Sequence, residues 1–338
     1  MDAINYSELN TLISVKESAF ISSHALNQLL VGQDDESLVL LLQNTDYHFN
    51  EADLNDTGLI EKKLMQELIH EFHFAFTEAP QPQVVEIFTL KFVYHNLKML
   101  LMTKATQMDL SHLLIPIGRY SINELRHVAQ TLESTIVTPV MIDEVRATWN
   151  EYQAYTNTDV INIGMDMAYF KHLRVLETTI DNEQVSQVID AIIDFYNVTT
   201  AKRGLEQRKA HSDIHRLMSD EGTYPIREVI ELVKTQQIAT WFNEINQIPF
   251  NKIFEPYVTK MNEGTIKNWE LEALSNVYVH ILLTESRFIT DGPLPILRYL
   301  HGKEMEVKNL RMILTGRANQ LSTEDIKERM RPVYGETL

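Results

Sequence analysis

The sequence predicts an all-α fold built from three similar helical units. Three observations carry that expectation. Glycine (11) and proline (10) make up only 21 of 338 residues, about half the usual share, so tight turns are few and elements are long. Apolar residues recur at i, i+3, i+4 and i+7 over long stretches, the spacing of one face of a helix. An asparagine also sits in nearly the same apolar setting three times, at Asn96, Asn197 and Asn309.

In chain order, the opening helix carries Leu9, Leu12, Ile13, Phe20, Ala25, Leu29 and Leu30. Further periodic stretches cover 64–76, 84–102, 165–176, 185–205 and 271–283. "LVLLL" (38–42) reads as a helical core segment, since no run approaches the ~18 apolar residues of a membrane span. "GQDD", "EAPQPQ" and "TDGPLP" carry the loop breakers. "STIVTPVMI" (134–142) is β-prone, but Pro139 interrupts it, and no alternating strand stands out.

With the three asparagines in register, apolar residues fall four before (Phe92, Ile193, Met305), two before (Tyr94, Phe195, Val307), one after (Leu97, Val198, Leu310) and four after (Leu100, Ala201, Ile313). These positions form one broad helical face. Successive asparagines are 101 and 112 residues apart, too long a period for a solenoid and suited to a repeated domain. A helix-start signal follows each. Ser121 and Glu124 form a capping box, Pro225 suits a first turn, and Ser322 with Asp325 caps a third helix. The expected units are 1–128, 129–235 and 236–338. Asparagine is a poor mid-helix residue, so each amide is expected to tie its helix to loop backbone.

Composition excludes several chemistries. There is no cysteine, hence no disulfide, thiolate nucleophile or Cys-ligated metal. The opening "MDAINYSELN" lacks the basic and apolar regions of a signal peptide, so a soluble cytoplasmic protein is expected. The net charge of −17 argues against nucleic acid and anionic lipid as partners. The charge is uneven. Residues 1–110 hold sixteen Asp/Glu against six Lys and no Arg, a net of −10. Residues 202–216, "KRGLEQRKAHSDIHR", hold five Lys/Arg against Glu206 and Asp213, a net of +3. Both are solvated faces or docking surfaces, and Arg203, Arg208 and Lys209 are the candidate partner-binding residues.

"PLPILRYLHGKEMEVKNLRMILTGRANQLSTEDIKERMRPVYG" (293–335) resembles the C-terminal segment of the C subunit of V/A-type rotary ATPases, the counterpart of the d subunit of eukaryotic V-ATPases. The elements that match are Lys303-Glu304-x-Glu306, Asn309-Leu310-Arg311, a break at Gly316, and the "LSTEDIKERM" helix. "DMAYFKHLRVLE" (166–177) followed by "IDFYNVTTAKRG" (193–204) resembles that family's middle repeat. The N-terminal third is a looser match: its first helix has no arginine, and Val93 stands where the other copies carry Asp194 and Glu306. The resemblance implies an all-helical, funnel-like subunit with pseudo-threefold symmetry. It further implies a non-catalytic central-stalk rotor part between the membrane rotor ring of proteolipid subunits and the central shaft subunits, coupling ATP hydrolysis or synthesis to ion transport. Such a protein is peripheral on the membrane through its complex, is not itself inserted, and needs no cofactor.

Catalytic and metal signals fail at required positions. His70 and His73 in "IHEFH" are one residue short of a zincin helix. His211 and His215 suit two ligands on one helix face, but no third is implied. "DLNDTG" (53–58) starts like a calcium loop, yet Leu64 occupies the bidentate glutamate's place; a capped turn explains it. No P-loop or nucleophile elbow occurs. Two other readings stay open at this point. One is a helical scaffold or adaptor unrelated to rotary ATPases, and the other is an enzyme with a composite acid/His site.

Overall fold

Each long apolar stretch of the sequence is helical in the computed structural model, which describes residues 4–32, 35–246, 248, 252–289 and 291–335. No strand occurs among the described residues. The helices are α1 (Ser7–Lys16), α2 (Ser23–Val31), α3 (Asp35–Gln43), α4 (Glu51–Leu54), α5 (Thr57–Glu78) and α6 (Pro82–Thr106). They continue as α7 (Ile122–Thr131), α8 (Pro139–Tyr155), α9 (Asp159–Ile180), α10 (Glu183–Glu206), α11 (His211–Arg216) and α12 (Ile226–Lys234). The remainder are α13 (Ile238–Ile245), α14 (Glu255–Asn262), α15 (Asn268–Glu285), α16 (Leu294–Ala318) and α17 (Thr323–Glu328).

Local chemistry sets the starts. Asp56 caps α5 by accepting the Gly58 and Leu59 N–H groups, which is the role of the calcium-loop look-alike. Ser121 and Glu124 make a reciprocal capping box at α7. Three local expectations need correction. The opening helix is two helices, because a 3-10 turn at Glu17–Ala19 precedes Ser22, whose hydroxyl accepts the Ala25 N–H and starts α2 afresh. Pro225 is the residue before α12, not its first turn. Gly316 breaks nothing: it lies buried inside α16. Pro139 opens α8 at its first turn, where its missing N–H costs nothing.

The chain divides into two compact units, one drawn from residues 1–81 and 276–338, the other from 82–275. In the second, α9 lies along α6 and α8, α7 returns onto α6, and α12 returns onto α10. His172 is fully buried there, with Nδ1 3.1 Å from Tyr94 Oη and Nε2 3.3 Å from Thr138 Oγ1. Burial holds its pKa down at about 4, so the imidazole is neutral. In the first unit α16 lies along α5, and α1 and α2 pack onto α16.

The three asparagines share one geometry. Each is 1 % exposed and grips both backbone groups of a single loop residue. Asn96 Nδ2 donates to the Ile115 carbonyl (2.6 Å) while Oδ1 accepts the Ile115 N–H (2.8 Å). Asn197 holds Ser219 through two bonds of 2.8 Å. Asn309 holds Arg331 at 3.0 and 2.6 Å. Eleven residues after each asparagine the chain turns left-handed without glycine, at Gln107 (φ 60°), Arg208 (φ 55°) and Gln320 (φ 59°). In the second and third cases a buried glycine seven residues after the asparagine meets an isoleucine seventeen after it. A Cβ on Gly204 would lie 2.6 Å from Ile214, and one on Gly316 would lie 2.9 Å from Ile326. The corresponding pair after Asn96 is Thr103 and Leu113, and Leu113 is 42 % exposed.

The order of parts differs in one respect from the sequence expectation. The helix α17, capped by Ser322, precedes the clamped Arg331, whereas α7 and α12 follow Ile115 and Ser219. Replacing Asn197 or Asn309 by leucine strands a buried backbone N–H and carbonyl. Each change should lower stability by about 1–3 kcal/mol in urea unfolding; an unchanged midpoint at both sites would show that the clamp contributes nothing.

Candidate partner-binding surface

The basic segment begins inside α10 and continues past its end. Lys202 bonds Glu206 one turn on, and Asn268 Nδ2 donates to the same carboxylate at 2.6 Å. Burial alone would raise the Glu206 pKa, but those hydrogen bonds hold it below the usual range. Arg203 Nη2 lies 2.8 Å from Glu272 Oε1 on α15, with both side chains about half exposed. The chain then leaves the helix through Arg208, whose left-handed backbone lets the Lys209 N–H reach the Gly204 carbonyl at 3.0 Å. The Arg208 and Lys209 side chains are exposed, as are His211, His215 and Arg216 on α11. The three predicted partner residues therefore share one helix end but not one state. Arg203 is engaged within the chain, while Arg208 and Lys209 project from the turn. Beside them is a cleft of about 320 Å³ lined by Leu205, Val233, Ile238, Met261 and Ile266 with Lys202 and Lys234.

The other two Asn-bearing helices carry an ion pair two residues after the asparagine, whereas Arg203 lies six residues after Asn197. Lys98 on α6 meets Asp166 on α9 at 2.5 Å. Arg311 on α16 grips Glu61 on α5 with two bonds of 2.6 and 2.8 Å. Each time a cation on an Asn-bearing helix reaches an acid on another long helix.

The acidic N-terminal third is less of an outer surface than its composition suggests. Glu71 and Glu86 are each 1 % exposed and Asp53 is buried. Glu71 belongs to a buried charge cluster around Lys303, of which the sequence shows locally only Lys303-Glu304-x-Glu306. Lys303, 1 % exposed, lies 3.1 Å from Glu306 and 3.3 Å from Asp46, with Phe20 and Tyr47 rings over its ammonium. Glu306 also accepts from Tyr47 Oη (2.9 Å) and from the Ile21 N–H (2.6 Å). Glu71 accepts from Tyr299 Oη (2.7 Å) and pairs with Lys16 (3.0 Å). Burial would lower the Lys303 pKa, but Glu306 and Asp46 raise it further, so it stays charged. Asp46, Glu67 and Glu71 bring three carboxylates together, and Lys303 and Lys16 supply their counter-charge. The histidines at 70, 73, 211 and 215 join no such group among the described residues.

The comparisons with known proteins bear on what this arrangement serves. The model of the ATP synthase (C/AC39) subunit family matches residues 9–329. The chain belongs to that family. Among relatives, the C subunit of the V-type sodium ATPase of Enterococcus hirae is 29 % identical over 331 residues, covering 98 % of this chain and 99 % of that protein. The C subunit of the A-type ATP synthase of Methanocaldococcus jannaschii is 22 % identical over 97 % of this chain and 86 % of its own length. That of Pyrococcus abyssi is 20 % identical over 96 % and 89 %. The chain is thus a V/A-type member of the C/AC39 family. Among the described residues no helix is long and apolar enough to cross a membrane.

The charge cluster makes this C/AC39 protein sensitive to pH in a defined direction. Burial, and then the neighbouring Glu71 carboxylate, push Glu67 up to about 7. The folded chain thus holds a proton that the unfolded chain releases near 4.5. That contribution is complete below about 4.5 and is lost as pH rises toward 7. His172 acts oppositely, since its neutral form is favoured by folding and its contribution is lost as pH falls from 6.5 toward 4. Urea titrations at pH 5 and 7.5 should show Glu67→Gln gaining stability relative to wild type as pH rises. A difference that does not change with pH would refute the assignment.

Proposed function

We propose that the chain is a non-catalytic central-stalk component of a V/A-type rotary ATPase, linking the membrane rotor ring to the central shaft so that ATP turnover stays coupled to ion transport. The family match across residues 9–329 carries this reading. The doubly bonded asparagine clamps support it, because each fastens a loop to a long helix through both groups of one peptide residue. A part that passes torque between partners must resist such loops peeling away. In this proposal the protein sits on the cytoplasmic side and is peripheral to the membrane through its complex. Its partners are the shaft subunits and the proteolipid ring.

We further propose that the units 1–128, 129–235 and 236–338 are copies of one ancestral unit in a pseudo-threefold arrangement. Support comes from the three clamps, the three left-handed residues eleven positions on, and the cations Lys98 and Arg311, each two residues after its asparagine and each paired with an acid on another long helix.

The basic end of α10, with Arg203, Arg208 and Lys209, faces an acidic partner surface in this proposal. Charge complementarity there sets orientation and on-rate more than final affinity. One rim charge is worth about 0–1 kcal/mol, so the test is the triple change to glutamate, read by co-purification with tagged shaft and ring subunits at low and high salt. Assembly should weaken most at low salt, and the difference from wild type should shrink at high salt as both attraction and repulsion are screened, while the isolated chain unfolds as before. Because Arg203→Glu faces Glu272, the same triple variant carrying Glu272→Arg controls for local repulsion. Unchanged association at both salts would leave the segment a solvated face, and failure of the wild-type chain to co-purify with any rotary ATPase subunit would sink the central-stalk reading.

A further inference from the structure

In the first two copies the parts after the asparagine follow one order. The clamped residue, Ile115 or Ser219, is followed six residues later by a helix start at Ser121 or Pro225. A short amphipathic helix, α7 or α12, then packs back on the Asn-bearing helix. Each ends at a left-handed residue eleven after its start, Leu132 or Gln236.

The third copy does not offer α17 for this role. α11 and α17 both begin fourteen residues after their asparagines, and Ile214 and Ile326 both lie seventeen after, each beneath a glycine. α17 is therefore the counterpart of α11, which leaves α16 without the helix that α7 gives α6 and α12 gives α10.

α2 fits that place. It packs on both α16 and α17, as α12 packs on both α10 and α11. Its capping residue Ser22 has φ −66° and ψ 155°, the same values as Ser121. Counted from the capping serine, α2 buries positions four, seven and eight (Leu26, Leu29, Leu30), and α7 buries the same positions (Leu125, Val128, Ala129). The acid three residues before the asparagine supplies an independent sign. Asp194 accepts the Thr223 N–H at 2.8 Å, two residues before Pro225, the cap of α12. Glu306 accepts the Ile21 N–H at 2.6 Å, one residue before the cap of α2.

We infer that α2 is the capped helix of the third copy, supplied from the N-terminal part of the sequence, and that residues 16–31 form a strap fastened over α16 and α17. The inference rests on reading the three Asn helices as copies. The fasteners are specific. Phe20 stacks on Tyr334, centroids 4.0 Å apart and rings 7° from parallel. Glu17 is held by Arg298 at 2.7 Å and by the Tyr334 hydroxyl. Lys16 reaches Glu71, and Lys303 lies under Phe20. Tyr334 is three residues past the clamped Arg331, so strap and clamp are bound to the same few residues of chain.

The strap should open together with the third clamp and independently of α7 and α12. Hydrogen exchange read by mass spectrometry on the full chain tests this with Glu306→Gln and Asp194→Asn. Glu306→Gln should speed exchange in α2 and in 329–335 by about tenfold or more and leave α7 and α12 as in wild type. Asp194→Asn should do the reverse, loosening α12 and leaving α2 protected. Tyr334→Leu keeps the charge cluster intact and serves if Glu306→Gln does not fold; it should loosen α2 and 329–335 in the same way. Unaltered α2 exchange in the folded variants, or α2 opening while 329–335 stays protected, would overturn the strap. Neither result bears on co-purification with shaft or ring, so the inference and the proposed function fail separately.

Discussion

Much of the structure hangs on a side-chain amide that can satisfy a whole peptide residue. An asparagine presents one donor and one acceptor in the same spacing as a loop residue's carbonyl and N–H. Buried at Asn96, Asn197 and Asn309, it removes from water two backbone groups that would otherwise have to stay exposed. The loop after each long helix can therefore be pulled against apolar surface without an orphaned polar group. That permits the apolar faces of α7 and α12 to be brought down onto α6 and α10. An aspartate could not substitute, because it offers no donor to the carbonyl.

The charge cluster around Lys303 works by a related logic with higher stakes. An ammonium removed from water is costly unless several acceptors surround it, and here Glu306, Asp46 and two aromatic faces do so. Glu306 lies three residues on along α16, but Asp46, Tyr47 and Phe20 come from stretches far away in sequence, so the lysine is satisfied fully only when those are in place.

The helices were legible because their apolar period is local and long. Asn96, Asn197 and Asn309 stood out because a poor helix former repeated in an apolar setting conflicts with propensity, and the conflict is resolved by a bond to a loop about twenty residues on. The break at Ser22 was not legible, since the apolar spacing runs on across it and only the hydroxyl's bond to Ala25 marks the new start. Gly316 read as a break because glycine usually is one; the reason it is tolerated mid-helix is Ile326, which sequence does not place against it. The basic run at 202–216 was visible as composition, but the engagement of Arg203 by Glu272 was not, because that acid is 69 residues away. Lys303 and Glu306 were visible as a local motif, but their distant partners were hidden for the same reason, with Tyr299 and Glu71 228 residues apart.

The pairing of α5 with α16, and of Phe20 with Tyr334, has a consequence for how the chain is made. A ribosome delivers residues from the N-terminus at roughly 5–20 per second. Residues 82–275 form a unit continuous in sequence and can pack as they emerge. The apolar faces of α2 and α5, with Leu26, Leu29, Leu64 and Phe72, find their partner only after α16 has been synthesised, on the order of 10–60 s later at that rate. α2 and α5 thus emerge before the 82–275 unit yet are covered after it, and a nascent chain of this design depends on whatever shields exposed leucine and phenylalanine in the interval.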